Sequence, residues 1–124
     1  EQHRQTLALH KSTRIAQAQA RSPHRAPEII EIQAEARQKT SLHAFDVLTP
    51  PNPDYRDLIC TIDVPILLVI GDSAPVVTLD MAAELQTINP RICIEQVQDA
   101  GHGLPFDQPE RLSEVVESFL RARM

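Results

Sequence analysis

Aromatic side chains are nearly missing from this sequence: Phe, Tyr and Trp make up 3% of its 124 residues, and Trp is absent. Glycine is as scarce, with Gly71, Gly101 and Gly103 the full set, all in the second half. A first half without glycine suits helices and little else. The scarcity also leaves no glycine-rich phosphate cradle, which argues against a doubly wound nucleotide or phosphate binder. No disulfide or metal framework is legible. Cys60 and Cys93 lie far apart with no CxxC neighbour, and read as two reduced core cysteines of a cytosolic protein. No pair among the five histidines has metal-ligand spacing with a carboxylate or thiolate, so neither metal nor cofactor is expected. The longest apolar run, Val64 to Ile70, falls far short of the ~18 residues of a membrane span. A net charge of −5, with basic residues scattered and mixed with Glu, argues against a nucleic-acid partner, because phosphate contacts need clustered Lys and Arg. The opening Glu-Gln-His-Arg does not read as a signal peptide, and a cytoplasmic location is expected.

What is present divides near Thr49-Pro50-Pro51-Asn52-Pro53. Residues 1–53 read as helical segments ending in a stiff proline connector, and 54–124 as a βαβα unit. Gln2 to Ala20 is rich in the helix formers Ala, Gln, Leu and Arg. Pro23 breaks that helix, and Pro27 suits the first turn of the next, where its missing N–H costs nothing. Ile29, Ile30, Ala34 and Arg37 recur there at helical spacing, with Glu28, Glu31 and Glu35 on the wet side. A short helix through Leu42, Phe45 and Leu48 carries the dense apolar cluster of the first half, and a helical turn follows at Tyr55 to Cys60.

The second half has a different pattern. Val64-Pro-Ile-Leu-Leu-Val-Ile70 is continuous rather than alternating, as expected of a strand buried on both faces of a parallel sheet. A helix is expected over Thr78 to Ile88, with Leu79, Ala82, Ala83 and Leu85 inward, and a second strand over Arg91 to Val97. The last helix is expected to start at Asp107-Gln-Pro-Glu110, with Asp107 as cap and Glu110 completing a capping box. Leu112, Val115, Val116, Phe119 and Leu120 form its apolar face. Strand, helix, strand, helix defines an α/β fold.

Asp99-Ala-Gly-His102-Gly103 follows a strand and precedes the final helix. Ligands in open α/β sheets bind beyond the carboxyl ends of the strands, and His102 is the one histidine so placed. His3, His10, His24 and His43 fall on helical or linker segments and read as solvated or partly packed.

The order Ile62-Asp-Val-Pro-Ile-Leu-Leu-Val-Ile-Gly71, then Asp99-Ala-Gly-His-Gly103, then Asp107-Gln-Pro-Glu-Arg111 and Phe119-Leu120 resembles the C-terminal quarter of α/β-hydrolases. The resemblance covers Asp63 to Met124, about half of the chain. It implies the last two parallel strands of the hydrolase sheet with flanking helices, preceded by the end of a helical lid. It also implies that His102 is the base of a Ser-His-acid triad. The family's acid follows the glycine that closes the penultimate strand by three residues, and here that slot holds Ala74. Three alternatives stand: Asp72 substitutes, the acid is supplied from upstream of this chain, or catalysis is lost. Asp80 reads instead as a first-turn helix residue, and Asp99 as a residue that orders the loop.

The nucleophile elbow, Gly-x-Ser-x-Gly, is absent from this sequence, and with it the oxyanion hole. The chain alone is therefore expected not to hydrolyse anything. Leu104, Pro105 and Phe106 offer an apolar wall near His102, which favours a small-molecule substrate with an apolar portion. The competing expectation is a non-enzymatic, degenerate hydrolase end acting as a structural or interaction protein. Exposed strand edges and apolar faces would then drive its self-association.

Overall fold

The computed structural model describes residues 9–49, 51–73 and 75–123, with the side chains of Phe45 and Leu48 excepted. The expected start of the first helix at Gln2, the acid slot at Ala74 and the apolar contribution of Phe45 and Leu48 lie outside the described residues. The chain forms two compact units, 1–52 and 53–124.

In the first unit, helices α1 (Lys11–Arg21) and α2 (Pro27–Lys39) pack as a hairpin, followed by a 3-10 helix, Leu42–Leu48. Helix α1 stops before Ser22-Pro23, as the restriction on the residue preceding proline requires. Pro27 occupies the first turn of α2. Among the described residues of this unit, Ile30 and, unexpectedly, Arg14 are buried, while Ile32 is exposed.

The second unit opens with helix α3 (Tyr55–Cys60), capped by Asp54, whose Oδ1 accepts from Arg56 N at 2.9 Å. Strand β1 (Ile66–Gly71), helix α4 (Leu79–Ile88) and strand β2 (Ile92–Val97) form a crossover unit, closed by the short α5 (Leu104–Asp107) and the long α6 (Pro109–Arg121). The strands pair in parallel, from Ile66 opposite Ile92 to Gly71 opposite Val97. Pro65 has no N–H to contribute, and the ladder begins one residue later, where Ile66 N donates to Arg91 O at 3.0 Å. Thr78 caps α4, its Oγ1 accepting from Met81 N at 3.3 Å. Helices α4 and α6 pack on the sheet, and Ile70, Ala82, Leu85, Ile92, Val97, Ala100 and Val115 form the core.

Asn89 fixes the joint between α3, α4 and β2. It is buried, with Nδ2 donating to Ile59 O at 2.9 Å and Ile62 O at 2.8 Å, while Oδ1 accepts from Arg91 N at 3.0 Å. A buried amide with its donors and acceptor engaged specifies one chain path where an apolar side chain would not.

Several expectations are corrected. Strand β1 is not buried on both faces: Ile66 to Val69 are half-buried, because the sheet has two strands and leaves β1 uncovered along one edge. For the same reason Leu79 and Ala83 are exposed, while Ala82 and Leu85 turn inward. The cysteines are not core residues. Cys60 is exposed on the short α3, and Cys93 is half-buried beneath Arg123, whose Nη2 donates to its Sγ at 2.8 Å.

Candidate functional site

Two loops leave the carboxyl ends of the paired strands side by side: one after β1, described at 72–73 and 75–78, and one after β2, 98–103. The backbone locks them together. Asp72 N donates to Val97 O at 3.1 Å, extending the ladder one step, and Ser73 N donates to Ala100 O at 2.9 Å. The approach is close enough to demand glycine at the end of β1. A Cβ on Gly71 would run into Ala100 O and come within 2.6 Å of Gly101 O. The penultimate strand thus ends in glycine for lack of space, not for an unusual dihedral angle.

Side chains complete the clamp. Asp72 Oδ1 accepts from Ala100 N at 3.4 Å and from Ser73 Oγ at 2.9 Å. Asp99 adopts the left-handed conformation, φ 55°, which Asp tolerates better than most residues. This turn redirects the chain out of β2, and Gln108 Nε2 donates to Asp99 O at 3.3 Å. Asp107, buried in the last turn of α5, reaches back and accepts from Gly101 N through Oδ2 at 3.0 Å. His102 is held on both sides of its peptide chain, and its side chain is exposed.

Asp107 and Glu110 do not form the expected capping box. The residue preceding α6 is Gln108, which makes no side-chain cap bond. Asp107 turns instead to the His102 loop, because Leu104-Pro-Phe-Asp107 folds into a helical turn of its own, with Phe106 N and Asp107 N donating to Gly103 O at 2.8 and 3.0 Å. Nothing in the Asp-Gln-Pro-Glu pattern separates these two uses of the carboxylate. The preceding Leu-Pro, with proline suited to a first helical turn, is the signal that the sequence offered.

The candidate site residues fall as follows. Asp72 and His102 come from adjacent loops at the same end of the sheet. Leu104 is half-buried and Phe106 exposed on α5, directly after the histidine. Asp80 is exposed in the first turn of α4. His10 precedes α1, and His43 pairs its Nδ1 with Asp46 Oδ2 at 3.2 Å on the surface of the first unit. Among the described residues no group of three His, Cys, Asp or Glu is arranged to hold a metal ion, and no helix is long and apolar enough to cross a membrane.

No protein-family model matches the chain. Two solved structures share its fold. One is an E-2-(acetamidomethylene)succinate hydrolase, with TM-score 0.63 and 19% identity, covering 90% of this chain and 45% of that one. The other is the N-formylmaleamic acid deformylase of Pseudomonas putida S16, with TM-score 0.62 and 25% identity, covering 92% of this chain and 46% of that one. A curated relative, the biotin biosynthesis bifunctional protein BioHC of Saccharophagus degradans (strain 2-40), is 28% identical over 110 residues, 89% of this chain. The chain spans under half the length of the solved structures and 18% of the curated relative. With a two-stranded parallel sheet, flanking helices and these likenesses, the chain has the fold of a C-terminal portion of an α/β-hydrolase, preceded by a helical segment.

Proposed function

We propose that this chain supplies the histidine base of a Ser-His-acid hydrolase whose nucleophile elbow lies outside it. The observation that carries this reading is the placement of His102 on a loop beyond the carboxyl end of β2. That loop is clamped by Asp107 through Gly101 and by Ala100 against Ser73. A general base must be held while its ring stays accessible to the proton it takes. His102 has both properties: an anchored backbone and an exposed side chain. In the reaction, the imidazole removes the nucleophile's proton as it attacks and returns it to the leaving group.

The acid of this reading is Asp72. Its carboxylate is tied to Ala100 N, two residues before His102, on the side of the loop that faces β1. Leu104 and Phe106 contribute apolar surface next to the base, which suits a small ester-like or amide substrate with an apolar portion. The named substrates of the two solved structures are small organic acids, one carrying an acylated amine and one an N-formyl amide. Residues 1–53 correspond in this reading to the end of the lid, and the protein acts in the cytoplasm.

Because the chain has no Gly-x-Ser-x-Gly element, it is inactive by itself. Assay of the isolated chain with p-nitrophenyl acetate tests this part: no turnover above the uncatalysed rate is expected. Turnover that His102→Ala abolishes would overturn it.

A second reading, a non-enzymatic self-associating protein, is favoured by one observation. Leu58, Val64, Leu79 and Leu120 are each at least half exposed, and both strands of the sheet are edge strands. Apolar surface beside unpaired strand edges promotes association. Light scattering separates the cases for the isolated chain: a dimer or larger assembly supports this reading, and a monodisperse monomer removes it.

A further inference from the structure

Arg14 sits on the inner side of the α1–α2 hairpin with 7% of its surface exposed. Its Nη2 donates to Gln38 Oε1 at 3.3 Å, but Nε and Nη1 are buried without a hydrogen-bond partner among the described residues. A guanidinium has donors and no acceptor, so only an acceptor can satisfy these groups. A buried charge left unpaired is among the more unfavourable arrangements a fold can hold.

Arg14 lines a cavity of about 230 Å³ within the first unit, together with Arg21, Arg25, Arg37, Ile30 and Gln33. No carboxylate side chain is among the described residues of its wall. Two acidic residues of α2 are used elsewhere: Glu31 pairs with Lys11 at 3.4 Å and Glu35 with Lys39 at 2.8 Å, all exposed. The cationic wall is also braced. Arg25 Nη1 donates to Gln33 Oε1 at 2.6 Å, and Arg21 Nε donates to Gln17 O at 3.3 Å. Arg14, with two buried donors unsatisfied among the described residues, and Arg37 on the same wall present guanidinium N–H groups whose geometry carboxylate and phosphate oxygens match.

We infer that this cavity binds a small oxyanion, with Arg14 as its buried partner and Arg37 at its rim. The volume lies below the ~300–1,000 Å³ typical of sites for drug-sized molecules, which limits the ligand to a few non-hydrogen atoms beyond the anionic group. Ile30 offers a short aliphatic portion an apolar contact. The inference stands on the helical hairpin alone and does not depend on the role of His102.

Isothermal titration of the whole chain at constant ionic strength tests it, with butyrate and inorganic phosphate as probes and chloride as reference. Saturable binding of butyrate, phosphate or both, with no response to chloride, is expected; butyrate binding alone marks a carboxylate site, and phosphate binding alone a phosphate site. Arg14→Met should weaken binding tenfold or more while the helical circular dichroism is retained. Should that variant fail to fold, Arg37→Gln, at an exposed lining position, carries the test with the same direction of effect. No saturable binding of either probe would overturn the inference. So would affinities that neither substitution changes, since the heat would then report nonspecific screening.

Discussion

The Asp107 carboxylate holds the Gly101 N–H at 3.0 Å, bridging α5 to the loop that carries His102. The bond is part-buried and accepted by a carboxylate, a class that stabilises more than a neutral surface bond. Asp107→Ala is expected to lower the stability of the chain by roughly 1.5–3 kcal/mol, the range for hydrogen bonds to charged groups. Asp107→Asn keeps an acceptor and should lose less. Urea denaturation followed by circular dichroism checks both, and an Asp107→Ala variant as stable as the parent would contradict the bridge.

Gly71 and Gly101 make a contrasting pair. A Cβ at position 71 meets the backbone of Ala100 and Gly101, which cannot swing aside as a flexible side chain would. At position 101 a Cβ lies 3.3 Å from Ser73 O and 3.5 Å from Asp107 Oδ2, tight but tolerable. Gly71→Ala should therefore cost at least the ~1–3 kcal/mol typical of overpacking, and Gly101→Ala clearly less. Equal denaturation midpoints for the two variants would show that the loops do not approach as described.

Asn89→Ala removes three hydrogen bonds at once and leaves the carbonyls of Ile59 and Ile62 without their side-chain donor. At about 1 kcal/mol net per bond the loss should be roughly 2–4 kcal/mol. Hydrogen exchange should accelerate at Arg91 N, which donates to Asn89 Oδ1. Unchanged protection at that amide would argue against the joint.

Glu35 offers a test of the opposite kind. The hydrogen bond and charge of Lys39, with a smaller contribution from Lys11, hold its carboxyl below the ordinary value. A depressed carboxyl contributes stability above the ordinary carboxylate range and loses it as pH falls through the folded value. Both partners are exposed, so solvent screens the effect. An NMR titration should place Glu35 below a free glutamate at low salt, while Glu35→Gln leaves the unfolding midpoint unchanged at high salt. A midpoint that moves at high salt would mean that the pair is shielded from water.

Much of this architecture was legible in the sequence because it rests on local rules. Pro23 and Pro27 punctuate the first helices, the aliphatic run through Ile70 reads as a parallel-sheet strand, and Gly-His-Gly marks the loop beyond β2. Burial was less legible. A continuous run such as Ile66 to Val69 signals a strand made to be covered on both faces, but covering needs neighbours that two strands do not provide. The uses of Asp107 and Arg14 were hidden for a different reason. Each depends on a partner brought near by folding, and one-dimensional spacing says nothing of Gly101 N–H or of a cavity between helices. Asp72 lies between these cases: its place after Gly71 was visible, but its bond to Ala100 N required the register of β1 against β2.

The central claim concerns His102, and ester turnover after reconstitution tests it most directly. The chain would be co-produced with an α/β-hydrolase N-terminal half that carries a Gly-x-Ser-x-Gly element, and p-nitrophenyl ester hydrolysis measured for the complex. With an intact triad, His102→Ala should lower kcat by at least about a thousandfold, while His43→Ala leaves it unchanged. A reconstituted enzyme that keeps its turnover after His102→Ala would contradict the account.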